Sequence, residues 1–178
     1  MKRPIATLEE FYAHAIAIER EAMERYREFQ AWFADRGEEI LAGLCANIGR
    51  MEEDHYRALV EDSRALALPA IAADGYLWLE AGPPEAPARE LFYRVAEPRH
   101  LLEVALAGER NALAFFQWVA RTAPDEKARA AAVEMAQDEE VHVRCVRNAL
   151  EYHVSSRIVD WDEVFEAGAG PGNLSGGT

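Results

Sequence analysis

Two patterns of acidic and imidazole residues each occur twice in this chain. Glu19-Arg20-x-Ala22, with Tyr26 seven residues after the glutamate, returns as Glu109-Arg110-x-Ala112 with Phe116. Glu52-Glu53-x-His55-x-Arg57 returns as Glu139-Glu140-x-His142-x-Arg144. The copies are offset by 90 and 87 residues, so both halves carry the motifs in the same order and at nearly the same spacing. Carboxylate oxygens and imidazole nitrogens bind divalent transition metals. The repetition therefore predicts a metal site made of two half-sites. Glu19, Glu52 and His55 form the first, and Glu109, Glu139 and His142 the second.

Helices are the elements able to position these groups. Thr7-x-x-Glu10 is a capping box that starts a helix near Leu8. Tyr12, Glu19, Tyr26 and Phe33 follow at intervals of seven, on a face shared with Ala15, Ala22 and Phe29, up to a stop near Gly37. A second helix is expected from about Glu38 to Leu66. The next stretch, from about Leu68 to Glu97, holds Pro69, Gly75, Gly82, Pro83, Pro84 and Pro87, which exclude one continuous helix. Its aromatic residues should pack down, and a short helix is expected near Arg89 to Val95. Pro98 suits the first turn of a third helix reaching about Arg121. After Thr122-Ala123-Pro124-Asp125 a fourth runs to about Val154. Two long hairpins joined by a crossover give an all-α, ferritin-like four-helix bundle over residues 1–166. Trp161 and Phe165 are expected to dock on it, and the Gly-rich tail from Ala167 to Thr178 to be flexible.

Glu19 falls roughly 24 Å before the first hairpin turn and Glu52 roughly 22 Å after it, so an antiparallel pair sets them at one height. Glu109 and Glu139 bracket the second turn in the same way. His55 and His142 lie three residues beyond a glutamate, on the same helix face. Tyr12 and Tyr26 flank Glu19, and Leu102 and Phe116 flank Glu109, on lines that point inward. Four buried carboxylates would repel one another. Two divalent cations cancel their charge and leave the imidazoles neutral.

Chance predicts about 0.7 Glu-x-x-His sequences from the chain's composition, and there are three. Glu97-x-x-His100 straddles Pro98, has no counterpart in the other half and is read as accidental. His14 and His153 are read as ordinary core or rim residues, and the run Glu21, Glu24, Arg25, Glu28 as a solvated face.

The net charge of −13 makes phosphate backbones and anionic membranes poor partners, so neither nucleic acid nor a membrane surface is expected. No stretch reaches the roughly 18 apolar residues of a membrane span, and the N-terminus lacks the apolar core of a secretory signal. Cys45 and Cys145 form no CxxC pair and suggest packing roles in a reducing, cytoplasmic setting.

At these residues the chain resembles the ferritin-like di-iron carboxylate proteins, most closely the rubrerythrin-like branch, over about residues 8–154. The resemblance implies two iron ions, with manganese or zinc as alternatives. Glu52 and Glu139 would bridge them, while Glu19 with His55 and Glu109 with His142 complete the two ends. It gives Tyr26 the place of a hydrogen-bonding tyrosine near the first ligand. Asp138 extends its motif to Asp-Glu-x-x-His, where the Asp would orient a histidine across the site. Its counterpart is Met51, so this support is one-sided. The implied activity is oxidation of Fe(II) with reduction of O₂ or H₂O₂, of peroxidase or ferroxidase type, in a homodimer. Rubrerythrins carry a rubredoxin module, which is absent, so an external electron donor such as a rubredoxin-like protein is expected. They also carry a further Glu one turn after the third-helix ligand, where this chain has Ala112. That departure favours a six-ligand plan nearer ferritins and oxidases. A non-catalytic di-metal binding or storage protein and a di-iron oxygenase acting on an organic substrate are the alternatives.

Overall fold

The computed structural model describes residues 2–155, so the expected docking of Trp161 and Phe165 and the Gly-rich tail lie outside the described residues. Helix α1 spans Leu8–Ala34. The Thr7 hydroxyl accepts the Glu10 N–H at 3.2 Å, as the capping box requires, while the Glu10 carboxylate reaches past Thr7 to the Ala6 N–H at 2.7 Å. Gly37 ends the helix with φ +72°, which turns the Glu38 N–H back onto the Phe33 carbonyl at 3.0 Å.

Helix α2 spans Glu39–Asp62 and stops four residues before the expected Leu66. The Ser63 hydroxyl donates to the Val60 carbonyl at 3.3 Å, and the Leu66 N–H turns to Ser63 at 2.8 Å. A serine that occupies a last-turn carbonyl offers the backbone an alternative to another helical turn. The crossover contains a single 3-10 turn, Ala73–Gly75, and the short helix α3, Arg89–Phe92. Helices α4, Pro98–Thr122, and α5, Glu126–Ser155, make the second hairpin. Between them Asp125 caps two helices at once. One oxygen accepts the Lys127 N–H at 2.8 Å, and the other accepts the Leu8 N–H of α1 at 3.1 Å.

Helix α1 packs along α2 and α4 along α5, and the two hairpins meet through α1 against α5 and α2 against α4. The fold is thus a ferritin-like four-helix bundle, two antiparallel hairpins joined by a long crossover, with no strand among the described residues. No described helix is long and apolar enough to cross a membrane.

Two apolar cores fill the bundle. One gathers Phe29, Phe33, Ile48, Leu102 and Val146, with Phe92 of α3 inserted from the crossover. The other gathers Phe11, Ile18, Phe115, Phe116 and Ala132, with Trp78 inserted from the crossover. Cys45 is buried in the first core, and both Cys45 and Cys145 are free thiols. Along every long helix the residue where one core gives way to the other is a glutamate. Glu19 follows Ile18 and precedes Tyr26, and Glu52 lies between Ile48 and Leu59. Glu109 separates Leu106 from Ala112, and Glu139 separates Ala136 from Val143.

Candidate metal centre

The four glutamates meet in that layer, and each is at most 2% exposed. Both histidines join them with Nδ1 turned inward. His55 Nδ1 lies 3.9 Å from Glu19 and 3.9 Å from Glu139, while His142 Nδ1 lies 3.3 Å from Glu109 and 3.8 Å from Glu139. The two imidazole rings stack, with centroids 4.4 Å apart and planes 10° from parallel. All six residues picked out by the repeat are therefore brought together. His142 lies nearer Glu109 than Glu139, whereas His55 is equidistant from Glu19 and Glu139, so Glu139 lies within reach of both histidines.

A seventh residue, Glu85, was missed. It comes from the crossover, is 2% exposed, and belongs to the same cluster. Ligand atoms of Glu19, Glu52 and Glu85 lie within 4.8 Å of one another, as do those of Glu85, Glu109 and Glu139. His55, Glu139 and His142 form another such set, and Glu52, Glu109 and His142 a fourth. Ala112 is fully buried and supplies no carboxylate, so the fifth acid comes from the crossover instead of α4. The sequence signal for Glu85 was slight, a single acid among Pro83, Pro84 and Pro87 in a segment with no helical period to predict its direction.

Among the described residues, every buried side-chain nitrogen or oxygen without a hydrogen-bond partner belongs to these seven residues, eleven atoms in all. Each such orphan costs about 1–3 kcal/mol. The whole set would match or exceed the roughly 5–15 kcal/mol by which a domain is stable. Two ionised carboxylates hold no donor between them, so only protons or cations can make these oxygens compatible. The electrostatics follow. Burial, reinforced by neighbouring carboxylates, raises Glu19, Glu85 and Glu139 well above the usual carboxylate range and pushes Glu52 up to about 8. Burial together with the His142 charge brings His55 down to about 3. Burial also acts to lower His142, but the adjacent Glu109 outweighs it and carries the imidazole up to about 9. Five acids and two imidazoles, converging and unsatisfied, form buried groups that could hold a metal ion.

Tyr26 is buried beside this layer. Burial first, then the charges of Glu109 and Glu52, hold its phenol well above the usual tyrosine range, so it stays protonated as a donor. Asp138 is exposed at the rim, where it lines a small pocket of about 100 Å³ together with His55, Asp62 and Glu134. No hydrogen bond joins it to either histidine among the described residues, although its charge acts on His142. Glu97 and His100 are both exposed and stand outside the cluster, consistent with an accidental spacing. His14 is a satisfied core residue, and the His153 side chain lies outside the described residues. The run from Glu21 to Glu28 is not wholly solvated. Arg25 donates to the Pro87 carbonyl and Glu28 pairs with Arg89 at 2.8 Å, so this face of α1 fastens the crossover.

No protein-family model matches the sequence, and no curated protein matches it significantly. Among solved structures the chain is similar to an uncharacterized conserved protein from Magnetospirillum magnetotacticum MS-1. The two are 28% identical and superpose with a TM-score of 0.64, over 82% of this chain and 95% of the other. The likeness spans nearly all of that protein, and so takes in both hairpins. By fold and buried chemistry, this chain is a ferritin-like helical bundle with carboxylate and histidine groups capable of holding metal at its centre.

Proposed function

We propose that this protein is a di-iron redox protein of the rubrerythrin-like kind, which oxidises Fe(II) while reducing O₂ or H₂O₂. The observation that carries the reading is the set of eleven unpartnered buried atoms, confined to five glutamates and two histidines. A bundle does not keep such a layer for stability, because apolar side chains of similar size would serve better. Glu19 with His55, Glu109 with His142, and Glu52 and Glu139 would hold a pair of cations, whose charge would satisfy the layer. Bound there, two iron ions would supply one electron each, the two electrons that convert H₂O₂ and two protons into two waters.

The chain's own residues set the conditions. The two apolar cores keep bulk water from either side of the layer. His142 and Glu52 hold protons when metal is absent and must release them on loading. Asp62, Glu134 and Asp138 set negative charge at the pocket that reaches His55, which suits an entering cation. Repeated turnover needs electrons from a reductant or a partner protein.

An oxygenase acting on an organic substrate is less well supported. Pockets for such molecules run to about 300–1,000 Å³, whereas the pocket at His55 is about 100 Å³. A larger groove of about 960 Å³ lies beyond the crossover, and none of the seven side chains lines it. The crossover aromatics Trp78 and Tyr76 stack on each other and close around His14, leaving no channel between them.

The test is anaerobic Fe(II) titration followed by a measured pulse of H₂O₂ or O₂. Two irons bound per chain, oxidised at one peroxide per pair, is the expected result. Iron bound but left ferrous would make this a metal-holding protein, and no binding would end the proposal.

A further inference from the structure

Glu85 stands outside the duplicated pattern. It lies in Pro83-Pro84-Glu85-Ala86-Pro87, in a crossover pinned to α1 on both sides. Before it, the Leu77 N–H donates to His14; after it, Arg25 holds the Pro87 carbonyl and Glu28 holds Arg89. The prolines fix φ around it and restrict the ways its side chain can be presented. Between the fastenings the crossover backbone rests against α4 at Gly108. A Cβ built on Gly108 would come within 3.3 Å of the Glu85 Cα, 3.7 Å of its carbonyl oxygen and 3.8 Å of its Cγ. Glycine inside a helix is unfavourable by about 1 kcal/mol relative to alanine. Here, beside Glu109, it provides a close backbone approach, which a Cβ would press apart by a few tenths of an ångström. Both Glu85 oxygens are buried and unpartnered, and they face Glu19 and Glu52 on one side and Glu109 and Glu139 on the other.

We propose that Glu85 is a further metal ligand delivered by the crossover, reaching both half-sites, and that Gly108 is the positioning residue that admits it. The proposal rests on the reading that this centre binds metal. Glu85 is the one acid of the five not anchored in a long helix, and with no cation nothing in the layer bonds to its oxygens. The groove of about 960 Å³ behind Pro83, Pro84 and Ala86 gives its segment room to withdraw. With the ion bound, that segment closes onto α4. The crossover is thus a metal-fastened clasp.

The test uses the full chain and Mn(II), which binds without turnover. Hydrogen exchange at Gly82, Glu85, Ala86 and Ala88 is followed with and without metal, beside Mn(II) titration of the wild type, Glu85→Gln and Gly108→Ala. Loading the wild type should slow exchange at these amides at least about tenfold. Glu85→Gln should weaken Mn(II) binding by about 10–100-fold or more, the range seen when supporting metal-site groups are lost, and abolish the slowing. Gly108→Ala should do the same while leaving the metal-free thermal midpoint unchanged or higher. Wild-type loading without slowing, or a Glu85→Gln protein that binds and slows like the wild type, overturns the clasp while leaving the metal centre standing. A wild type that binds neither Mn(II) nor Fe(II) removes both proposals together.

Discussion

The imidazole of His14 ties the crossover to α1, with the Leu77 N–H donating to Nε2 at 3.0 Å. The other ring nitrogen, Nδ1, donates to the Glu10 carbonyl at 2.8 Å, which fixes the tautomer. Tyr76, Trp78 and Phe115 surround the ring at centroid distances of 5.2, 5.5 and 6.1 Å. Burial holds this imidazole below the usual histidine range. Protonation would remove the acceptor that Leu77 uses, so the contribution of His14 to stability should decline as pH falls below the ordinary histidine value of 6.5. His14→Phe keeps most of the volume but strands the Leu77 N–H, at a cost of about 1–3 kcal/mol. His14→Ala adds a cavity and should cost about 2–5 kcal/mol. Denaturation midpoints of the wild type and His14→Phe at pH 7.5 and 5.5 give the check: the stability gap between the two should narrow at the lower pH, whatever the other buried groups contribute to both.

The carboxylate layer makes a separate prediction for metal-free protein on the alkaline side. Glu52 ionises at 4.5 in an unfolded chain and at about 8 here, so between those values the folded protein keeps a proton that the unfolded chain has released. Stability then falls as pH rises. His142 acts in the same direction. Its raised value of about 9 gives stability that is complete below 6.5 and lost as pH climbs through 9. His55, depressed to about 3, works oppositely but only below 6.5. From pH 6.5 to 8 the metal-free protein should therefore lose about 2 kcal/mol for each such group. Metal-loaded protein, its protons already displaced, should show a flatter profile. Chemical denaturation across that window with and without Mn(II) decides the matter, and coincident profiles would contradict it.

Stability and metal binding should also separate under mutation. Glu19 continues the apolar face of Phe11, Ala15 and Ile18, and both its oxygens lack partners. Glu19→Leu should raise metal-free stability by about 1–3 kcal/mol, the cost of an orphaned buried group, while sharply lowering metal affinity. Loss of stability instead would mean that the acid has a partner in solution. The same substitution at Arg20, the half-exposed neighbour, should leave both quantities nearly unchanged.

How far the chain could be read in advance follows from where periodicity exists. The four long helices and their shared polar layer were legible because Glu19, Glu52, Glu109 and Glu139 sit on apolar faces whose period fixes both direction and height. Pro98 and Thr7 marked their starts. Glu85 was not legible, because a proline-rich crossover carries no period and its burial depends on contact with Gly108, 23 positions away. The end of α2 was also missed, since the local bond from Ser63 to Val60 outweighs a helical pattern that runs on to Leu66. Arg25 and Glu28 read as solvent-facing because their partners, Pro87 and Arg89, lie about sixty residues further on. Asp138 has the motif position of an orienting acid, yet its side chain stays at the rim.

That rim gives the last expectation. Asp62, Glu134 and Asp138 border the pocket of about 100 Å³ that ends on His55, between α1, α2 and α5. Burial and the charges of Asp62 and Glu134 raise the phenol of nearby Tyr12, which registers a negative field in the opening. Such a field concentrates cations and speeds their arrival by about 10-fold or more at low salt. Ionic screening removes the effect, since the Debye length shrinks to about 3 Å at 1 M salt. Asp62→Asn with Glu134→Gln should therefore slow Mn(II) or Fe(II) uptake several-fold at low ionic strength. Near 1 M salt the uptake rates should converge, with the final stoichiometry unchanged because neither residue belongs to the cluster. Stopped-flow uptake at a series of salt concentrations measures this directly. If the rates of the double variant and the wild type coincide at low salt, cations enter by another route, and the groove over the crossover becomes the next place to probe.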